Sequence, residues 1–564
     1  MSSLLIKVTE DLKNNLIKSI GAAIKGGKLL NAQIPDINIE IPADRAHGEL
    51  STNIAMVSAK LFRVSPLNIA EIILDNLAVD KSFVSKVEIA GAGFINFFLS
   101  QKFFSECLAE IKSLGEEYGK CNYGQNKKLI LEFVSANPTG PMHVGNARLG
   151  VLGDCLSSVL KLAGYDVFKE FYVNDAGNQI EKFASSLDVR YRQIIEGEKN
   201  VFMPEDCYQG EDIKDLSYEF YEVYGKKYAL CNTKERKDKL TAFALPKNID
   251  SMKKDMKKYN IFFDNWFHES LLYESNNVSK VIDMLSHKGL TYEFDGALWY
   301  KATKFGFEKD EVLIRKNGIH TYFASDIAYH YNKFKVRNFD ICIDIWGADH
   351  HGHVARLKSA MDSLGVDSGN LHILLVQLVK LVKNGEVVRM SKRTGKAIKL
   401  ADLLDEVSVD SARFIFNMKE ANTKMDFDLD LAVQKDSQNP VYYVQYAHAR
   451  ICNILKSVPD GVKKNLESES IELDVLTSFE EKQLIYDMAL YTTQIINSAK
   501  NFDPTGITKY VIDLATDFHK FYNDHKVICD DDQIMSARIY LCMCVKIVIS
   551  NILRLFKISI PEHM

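Results

Sequence analysis

A turn that could hold a phosphate group follows an apolar, strand-like run. The segment SANPTGPMHVGNARLG (135–150) turns through two prolines and Gly140 and then enters a helix. A helix start offers free backbone N–H groups and a positive dipole, and both stabilise an anion. His143 can hydrogen-bond a phosphate, and Gly145 lets a ligand approach the backbone closely. A helix start with an incidental histidine would give the same short pattern, so this segment alone leaves both interpretations open.

The turn carries a known signature. Residues 143–146 read His-Val-Gly-Asn and resemble the His-Ile-Gly-His motif of class I aminoacyl-tRNA synthetases. That motif also follows the first strand of a Rossmann-like domain. Asn146 replaces the second histidine and can still donate a hydrogen bond to a ribose or phosphate oxygen. The resemblance implies that His143 and Asn146 act in catalysis. It implies an ATP site that includes, in this loop, Ser135, Gly140, His143, Gly145 and Asn146.

A second basic loop lies more than two hundred residues further on. Within VVRMSKRTGKAIKL (387–400), the run Arg-Met-Ser-Lys-Arg resembles the Lys-Met-Ser-Lys-Ser loop of class I. When a carboxylate attacks the α-phosphorus of ATP, charge builds on the departing pyrophosphate, and a cationic loop can neutralise it. The resemblance implies that Met390, Ser391 and Lys392 bind ATP and that Lys392 is catalytic. A solvated basic turn is the alternative, but both motifs in this order indicate class I.

Two carboxylates are candidates for binding a guanidinium group, which requires acceptors in fork geometry. Glu132 lies inside the apolar run LILEFVS, where an unpaired carboxylate would be costly. The alternative for it is a charge on an edge strand. In HTYFASDIAYH (320–330), Tyr322 and Asp326 are four residues apart and therefore share one face of a helix. A helix cap with an aromatic core residue is the alternative there.

A narrower resemblance selects the amino acid. The run EFVSANPTGPMHVGN resembles the arginyl-tRNA synthetases, as do YVNDAGNQ and the Tyr-x-x-x-Asp spacing. It implies that Glu132 and Asp326 bind the guanidinium of L-arginine. His350, in GADHHGH, occupies the region where the family often has a glutamine. The implied arginine site consists of Glu132, Asn137, Tyr322, Asp326 and His350.

The chain of 564 residues is too long for one core. From Lys127, strands followed by crossover helices indicate an α/β fold with a Rossmann-like, doubly wound parallel sheet. The predicted domains are an N-terminal α+β module (1–118), a catalytic domain (119–430) with a helical insertion at about 185–300, and a C-terminal all-α bundle (431–564). The resemblance implies that the first contacts tRNA and that the last binds the anticodon.

Segments outside the catalytic region extend the resemblance over the whole chain. IPADRAHGELSTNIAM and AGAGFINFFL look like the N-terminal domain that contacts the tRNA elbow, and NPVYYVQYAHAR resembles the link into the anticodon-binding domain. The last four residues, Pro-Glu-His-Met, are similar to the family's ending. The tRNA contacts implied by the resemblance are Asn53, Tyr443, Tyr446 and Met564.

Composition limits the other possibilities. A net charge of −5 argues against a uniformly basic coat but allows a local basic stripe for RNA. The ten cysteines contain no Cys-x-x-Cys pair, which argues against a zinc ribbon and fits a reducing cytosol. The apolar stretch at 539–560 contains three basic residues, so a core helix is expected and not a membrane span. We expect a cytoplasmic protein, and the family favours a monomer.

The expected reaction has two steps. ATP, accompanied by Mg²⁺, and L-arginine form arginyl-adenylate and pyrophosphate, and arginine then passes to the 2′-hydroxyl of the terminal adenosine of tRNA. Neither a tightly bound cofactor nor a protein ligand for the metal is expected. Two alternatives are a related enzyme (another class I synthetase or a small-molecule nucleotidyltransferase) and a catalytically silent tRNA-binding paralogue. Intact His143, Lys392 and Asp326 argue against the silent paralogue.

Overall fold

A computed structural model describes residues 3–42, 44–388, 398–467 and 471–564. The N-terminal region forms a three-stranded antiparallel sheet with helices beside it. Gly91 and Gly93, in the turn between the last two strands of this sheet, have φ angles of 55° and 118°, which glycine adopts readily. Its elements are α1 (Leu4–Lys25), β1 (Leu50–Thr52), α2 (Ile54–Phe62), α3 (Pro66–Asn76), β2 (Val84–Ala90), β3 (Phe94–Leu99) and α4 (Gln101–Leu114).

The insertion is helical over a shorter range than expected. The next elements are β4 (Lys128–Glu132), α5 (Val144–Leu162), β5 (Asp166–Val173), α6 (Asn178–Glu196), α7 (Glu211–Tyr224), α8 (Thr233–Lys258) and β6 (Asn265–His268). Helices α6, α7 and α8 share a separate small core that includes Phe183, Tyr191 and Phe220. The prediction of a helical insertion at about 185–300 is wrong in part, because β6 and two further strands lie after Lys258, together with two more helices.

The central sheet is completed by strands from further along the chain. These elements are α9 (Ser270–Glu274), α10 (Asn277–His287), β7 (Thr291–Phe294), β8 (Ala297–Tyr300), β9 (Glu311–Ile314), α11 (Tyr322–Tyr331), β10 (Ile341–Gly347), α12 (His351–Ser363) and β11 (Leu371–Val376). The order β11-β10-β4-β5-β6, parallel throughout, confirms the predicted Rossmann-like sheet. Strand β4 is central, so Glu132 is not an edge-strand charge. Helix α11 continues into a π-helical turn, Asn332–Val336.

A small sheet adjoins the second motif. Its region contains β12 (Val379–Lys383), β13 (Glu386–Val387), α13 (Leu400–Glu406), α14 (Val409–Phe416), β14 (Met425–Asp428) and α15 (Leu429–Val433). The strands follow the order β13-β12-β14. Met390, Ser391 and Lys392, the predicted ATP-binding residues of the second motif, lie outside the described residues. The motif is therefore placed only by its neighbours, β13 before it and α13 after it.

The C-terminal region is helical, as predicted. Its helices are α16 (Pro440–Lys456), α17 (Asp460–Glu467), α18 (Phe479–Ala489), α19 (Tyr491–Asn501), α20 (Thr505–Asp524) and α21 (Asp532–Leu555). By length and hydropathy α21 could cross a membrane, but 72% of its most apolar stretch is buried inside the protein. This burial is what the sequence led us to expect of a core helix. The domain boundaries at 118 and 430 stay predictions.

Candidate active site

The start of α5 is organised by the first motif itself. His143 is the N-cap residue: its Nδ1 accepts a hydrogen bond from the Gly145 N–H at 3.1 Å, and its own N–H donates to Asn146 Oδ1 at 2.9 Å. This reciprocal cap leaves Nε2 of the solvent-exposed imidazole and Nδ2 of Asn146 to serve a ligand. Partial desolvation lowers the pKa of His143 below its ordinary value. At neutral pH the ring is therefore neutral and can donate to a phosphate through Nε2.

Backbone pairing joins the two motifs. The Val144 N–H donates to the Ile398 carbonyl at 3.1 Å, and the Leu400 N–H donates to the Met142 carbonyl at 2.9 Å. His143 and Lys399 face each other in this antiparallel bridge. The second motif therefore ends beside the N-terminus of α5, although more than two hundred residues separate the two segments. This juxtaposition brings the predicted phosphate-binding loops to one place.

The loop between β4 and α5 begins with an unusual backbone. Val134 and Ser135 have φ angles of 71° and 39°, a region that a β-branched residue rarely adopts. The turn directs the Ser135 hydroxyl back to Glu132, to whose Oε1 it donates at 2.9 Å, while its oxygen accepts from the Tyr172 N–H at 3.1 Å. Ser135, predicted to bind ATP, thus supports Glu132. Gly140 lies further along, against Asp212 of α7.

A cavity of about 550 Å³ opens at the carboxyl ends of β4, β5 and β10. Its walls include Ser135 and all five residues predicted for the arginine site, which are Glu132, Asn137, Tyr322, Asp326 and His350. Leu149, on α5, also lines it, so the cavity adjoins the helix that begins with the first motif. Carboxyl ends of parallel strands are where open α/β sheets bind ligands. The structure thus brings the predicted amino-acid residues together next to the predicted nucleotide loop.

Asp326 is a partly exposed carboxylate of this cavity. One of its oxygens, Oδ2, is 2.7 Å from His353 Nε2, and its side chain is 30% exposed. The sequence indicates His350 of GADHHGH for the arginine site and offers no reason to prefer His353. His350 is more than half exposed and lies 3.6 Å from Asp349. The spacing of three histidines in seven residues was a signal, but it could not say which one reaches Asp326.

A second carboxylate near Asp326 is buried and incompletely paired. Tyr273 donates to Glu269 Oε1 at 3.3 Å, while Oε2 is buried without a hydrogen-bond partner in the described part of the chain. Burial, and then repulsion by Asp326, raise the pKa of Glu269 to about 7. Such a perturbed group beside a cavity is a functional candidate. No sequence pattern indicates this role, since Glu269 stands alone between β6 and α9.

Glu132 is part of a buried network that the sequence only half revealed. Lys333 Nζ lies 2.6 Å from Glu132 Oε2 and 2.7 Å from Asp344 Oδ1. Burial raises the pKa of Glu132, and the ammonium group of Lys333 counteracts that effect. Asp344 lies within the apolar run ICIDIWG, the same signal that identified Glu132 in LILEFVS. A carboxylate inside an apolar run is therefore a signal that also identifies Asp344.

The predicted tRNA contacts lie in the two terminal regions. Asn53 is the N-cap residue of α2. Tyr443 and Tyr446 project from α16 toward α20, with ring centroids 4.9 and 5.9 Å from that of His519. Met564 is 43% exposed and borders a cavity that includes residues at the start of α16. Aromatic residues with exposed faces suit nucleotide bases.

Comparison with known proteins decides the family. The family model described as "tRNA synthetases class I (R), catalytic domain" matches residues 108–458. The chain belongs to the class I arginyl-tRNA synthetases. Two further models of this family's parts match as well, the arginyl tRNA synthetase N terminal domain over 10–99 and the DALR anticodon binding domain over 444–564. The resemblance stated from the motifs is thereby confirmed.

Relatives within the arginyl-tRNA synthetases match over their full length. The arginine–tRNA ligase of Caldanaerobacter subterraneus is 50% identical over 564 residues, covering 100% of both chains. A solved structure from Campylobacter jejuni is 34% identical, with a TM-score of 0.74 over 83% of this chain and 100% of that one. The Thermus thermophilus arginyl-tRNA synthetase, at 20% identity, has the same fold, with a TM-score of 0.76 over 98% of this chain and 100% of that one.

Proposed function

We propose that the protein is an arginine–tRNA ligase that forms arginyl-adenylate and pyrophosphate from L-arginine and ATP. It then transfers arginine to the 2′-hydroxyl of the terminal adenosine of its tRNA. The observation that carries the proposal is the cavity at the sheet's carboxyl edge, which places Asp326 and Glu132 beside the helix that begins at His143. Full-length relatives named arginine–tRNA ligase support the same reaction.

Arginine lies in the cavity with its guanidinium group toward Asp326 and Glu132. The free oxygen of Asp326 accepts from the guanidinium, while His353 holds the other oxygen. Glu269, close behind, adds negative potential without direct contact. Tyr322 and Asn137 place the substrate, and His350 closes the rim. The carboxylate of arginine then points toward the start of α5, where the α-phosphate must lie.

ATP lies with its phosphates at the N-terminus of α5. Backbone N–H groups there, the Nε2 atom of His143 and the amide of Asn146 bind the phosphates and ribose, and Gly145 leaves room for them. Lys392, in the second motif, neutralises the departing pyrophosphate. Mg²⁺ enters with ATP and is held by its phosphates. Positioning and electrostatics supply the rate enhancement, so no general base is needed.

The terminal regions bind tRNA. In this proposal Asn53 contacts the tRNA body, and Tyr443, Tyr446 and Met564 contact the anticodon loop. Stacking on exposed aromatic rings contributes about 1–3 kcal/mol per base. The cysteines in the described part of the chain are all free thiols, which suits the reducing cytoplasm. We propose a cytoplasmic monomer, which sedimentation equilibrium would test.

The function is tested by aminoacylation of total tRNA with each of the twenty amino acids in turn. We expect charging with arginine alone. ATP–pyrophosphate exchange is expected only when both arginine and tRNA are present. Charging with a different amino acid would contradict the arginine assignment, and no charging under any condition would favour a silent tRNA-binding paralogue. Binding of labelled tRNA, measured in the same preparation, serves as the control for folded protein.

A further inference from the structure

Three neighbouring strands of the central sheet carry carboxylates at the same level. Asp344 of β10 is in register with Glu132 of β4, which is in register with Glu170 of β5. Side chains in register on parallel strands point to the same face of the sheet. The three residues are 0%, 5% and 0% exposed. Three buried carboxylates side by side would repel one another and lose their hydration, so the row requires cations.

The cations come from the π-helical turn that extends α11 and from the residue that follows it. Lys333 bridges Glu132 and Asp344, as described above, and is itself 0% exposed. Arg337 makes two hydrogen bonds to Glu170, at 2.6 and 2.8 Å. Because Lys333 and Arg337 are four residues apart, they lie on the same side of the helical segment. π-Helical turns are often found at functional sites. The helix is therefore attached to the sheet through paired charges.

The same helix carries the cavity-facing residues Tyr322 and Asp326. His330 connects Asp326 to the row: its Nδ1 lies 2.7 Å from the Asp326 carbonyl oxygen, and its Nε2 lies 2.6 Å from Asp344 Oδ2. A continuous path of polar contacts thus leads from the backbone of Asp326 through His330, Asp344 and Lys333 to Glu132. The path thus joins the backbone of Asp326 to the carboxylate of Glu132, the two residues assigned to arginine in the proposed function.

We propose that Lys333 is a positioning residue for amino-acid recognition, because it fixes Glu132 and the helix bearing Asp326 in one mutual arrangement. The proposal rests on the roles given to Glu132 and Asp326 in the proposed function. Lys333 is fully buried and does not reach the substrate. It also cancels charge within the row, so that the net attraction of the cavity for a guanidinium is concentrated at Asp326. A lysine that only stabilised the fold would not favour one substrate over the other.

The test is a charge-balanced double variant, Lys333→Met with Asp344→Asn. It removes one positive and one negative charge together, so the net charge of the row is unchanged, while Glu132 loses its ammonium partner and keeps the hydrogen bond from Ser135. We expect a folded protein whose KM for arginine rises about 10- to 100-fold, as loss of a charged hydrogen bond predicts. Its KM for ATP should stay within about twofold. The matched control is Arg236→Met with Asp188→Asn, a buried ion pair in the insertion whose side chains are 8% and 7% exposed. It should leave both KM values unchanged.

A folded double variant with an unchanged KM for arginine overturns the proposal, as does an equal rise for arginine and ATP. If the double variant does not fold, His330→Asn tests the same path with a smaller cavity change, and a rise in the arginine KM of about 3- to 10-fold is expected from one lost hydrogen bond. No rise would overturn the proposal.

Glu132→Gln separates failure of the inference from failure of the proposed function. If the KM for arginine rises in Glu132→Gln but stays unchanged in the double variant, only the role proposed for Lys333 is refuted. An unchanged arginine KM in Glu132→Gln refutes the role of Glu132 in the proposed function, and the inference falls with it. A raised KM in both variants supports the inference.

Discussion

The two ends of the candidate active site are built by different means. At the arginine end, side chains are fixed to one another: Asp326 to His353, and Glu132 to both Lys333 and Ser135. At the phosphate end, each described contact involves a backbone N–H group, in the cap at His143 and in the bridge to the end of the second motif. The arginine end is thus held by buried charge, and the phosphate end by helix geometry.

This difference suits the two substrates. A guanidinium must be distinguished from other side chains, and fixed carboxylates in fork geometry provide that discrimination. Triphosphate carries the same charge in every synthetase, and a helix N-terminus with glycine binds it without side-chain selection. Substitutions at the arginine end should therefore change arginine binding selectively. Substitutions at the phosphate end should lower the rate of activation and spare arginine binding.

The largest effect is expected at the phosphate end, for Lys392→Ala. Loss of a cation that stabilises the departing pyrophosphate should lower the rate of arginine activation about 100- to 1,000-fold. Exchange of labelled pyrophosphate measures this rate, and tRNA binding should stay near normal. Lys399→Ala, an exposed lysine beside the motif, is the control and should retain most of the activity. Equal losses of activation rate in both variants would mean that the positive charge of the segment as a whole matters, and not Lys392 in particular.

Asp326→Asn should have a large effect confined to the arginine end. The amide keeps the shape of the side chain but removes its charge, which costs about 2–3 kcal/mol for a partly exposed, charge-assisted contact. We expect the KM for arginine to rise about 30- to 100-fold while the KM for ATP stays constant. Asp349→Asn, whose side chain is 82% exposed at the rim, should behave like the unmodified protein. If the KM values for arginine and for ATP rose together, the arginine end and the phosphate end of the site would not act separately.

Gly145→Ala should give an intermediate effect at the phosphate end. A Cβ atom at this position would lie 2.9 Å from Cε1 and 3.0 Å from Nδ1 of His143, so the imidazole must shift. We expect kcat for activation to fall about 10-fold, because misplacement by a fraction of an ångström weakens transition-state contacts. Gly21→Ala, where the added Cβ meets nothing within 4 Å, is the control. A changed arginine KM with normal kcat would contradict this assignment.

The smallest expected effect is a dependence on pH at the arginine end. Glu269, whose pKa is raised to about 7, is neutral below that pH and negatively charged above it. Its attraction for the guanidinium is therefore present above pH 7 and lost as the pH falls through 7. We expect kcat/KM for arginine to fall about 3- to 10-fold between pH 8 and pH 6, consistent with an indirect electrostatic contribution. Glu269→Gln should abolish this dependence, and a profile identical to that of the unmodified protein would exclude Glu269 as its source.

The sequence predicted most of the fold and several of the residues that line the cavity. Strand–helix alternation predicted the parallel sheet because buried parallel strands are continuous apolar runs, and the charged residue in one such run identified Glu132. The pairing of that charge was not predictable, since Lys333 is two hundred residues away and lies in a segment with no motif. Asp344 carried the same signal as Glu132 and could have been found.

Other features depended on three-dimensional proximity alone. Glu269 acquires its raised pKa from burial and from Asp326, which no local pattern encodes. Asp326 contacts His353 and not His350 because of which side of α12 faces α11. The insertion was predicted to be helical too far along the chain, because the short strand β6 has only four residues between charged segments. Local periodicity is weakest for elements of that length.

The most direct test is a crystal structure of the protein with L-arginine and a non-hydrolysable ATP analogue bound. The two-ended site predicts guanidinium nitrogens at about 3 Å from the carboxylate of Asp326, with Glu132 still bound to Lys333. It also predicts phosphate oxygens at the same range from backbone N–H groups at the start of α5 and from His143 Nε2. A guanidinium bound away from Asp326, or phosphates away from α5, would contradict it.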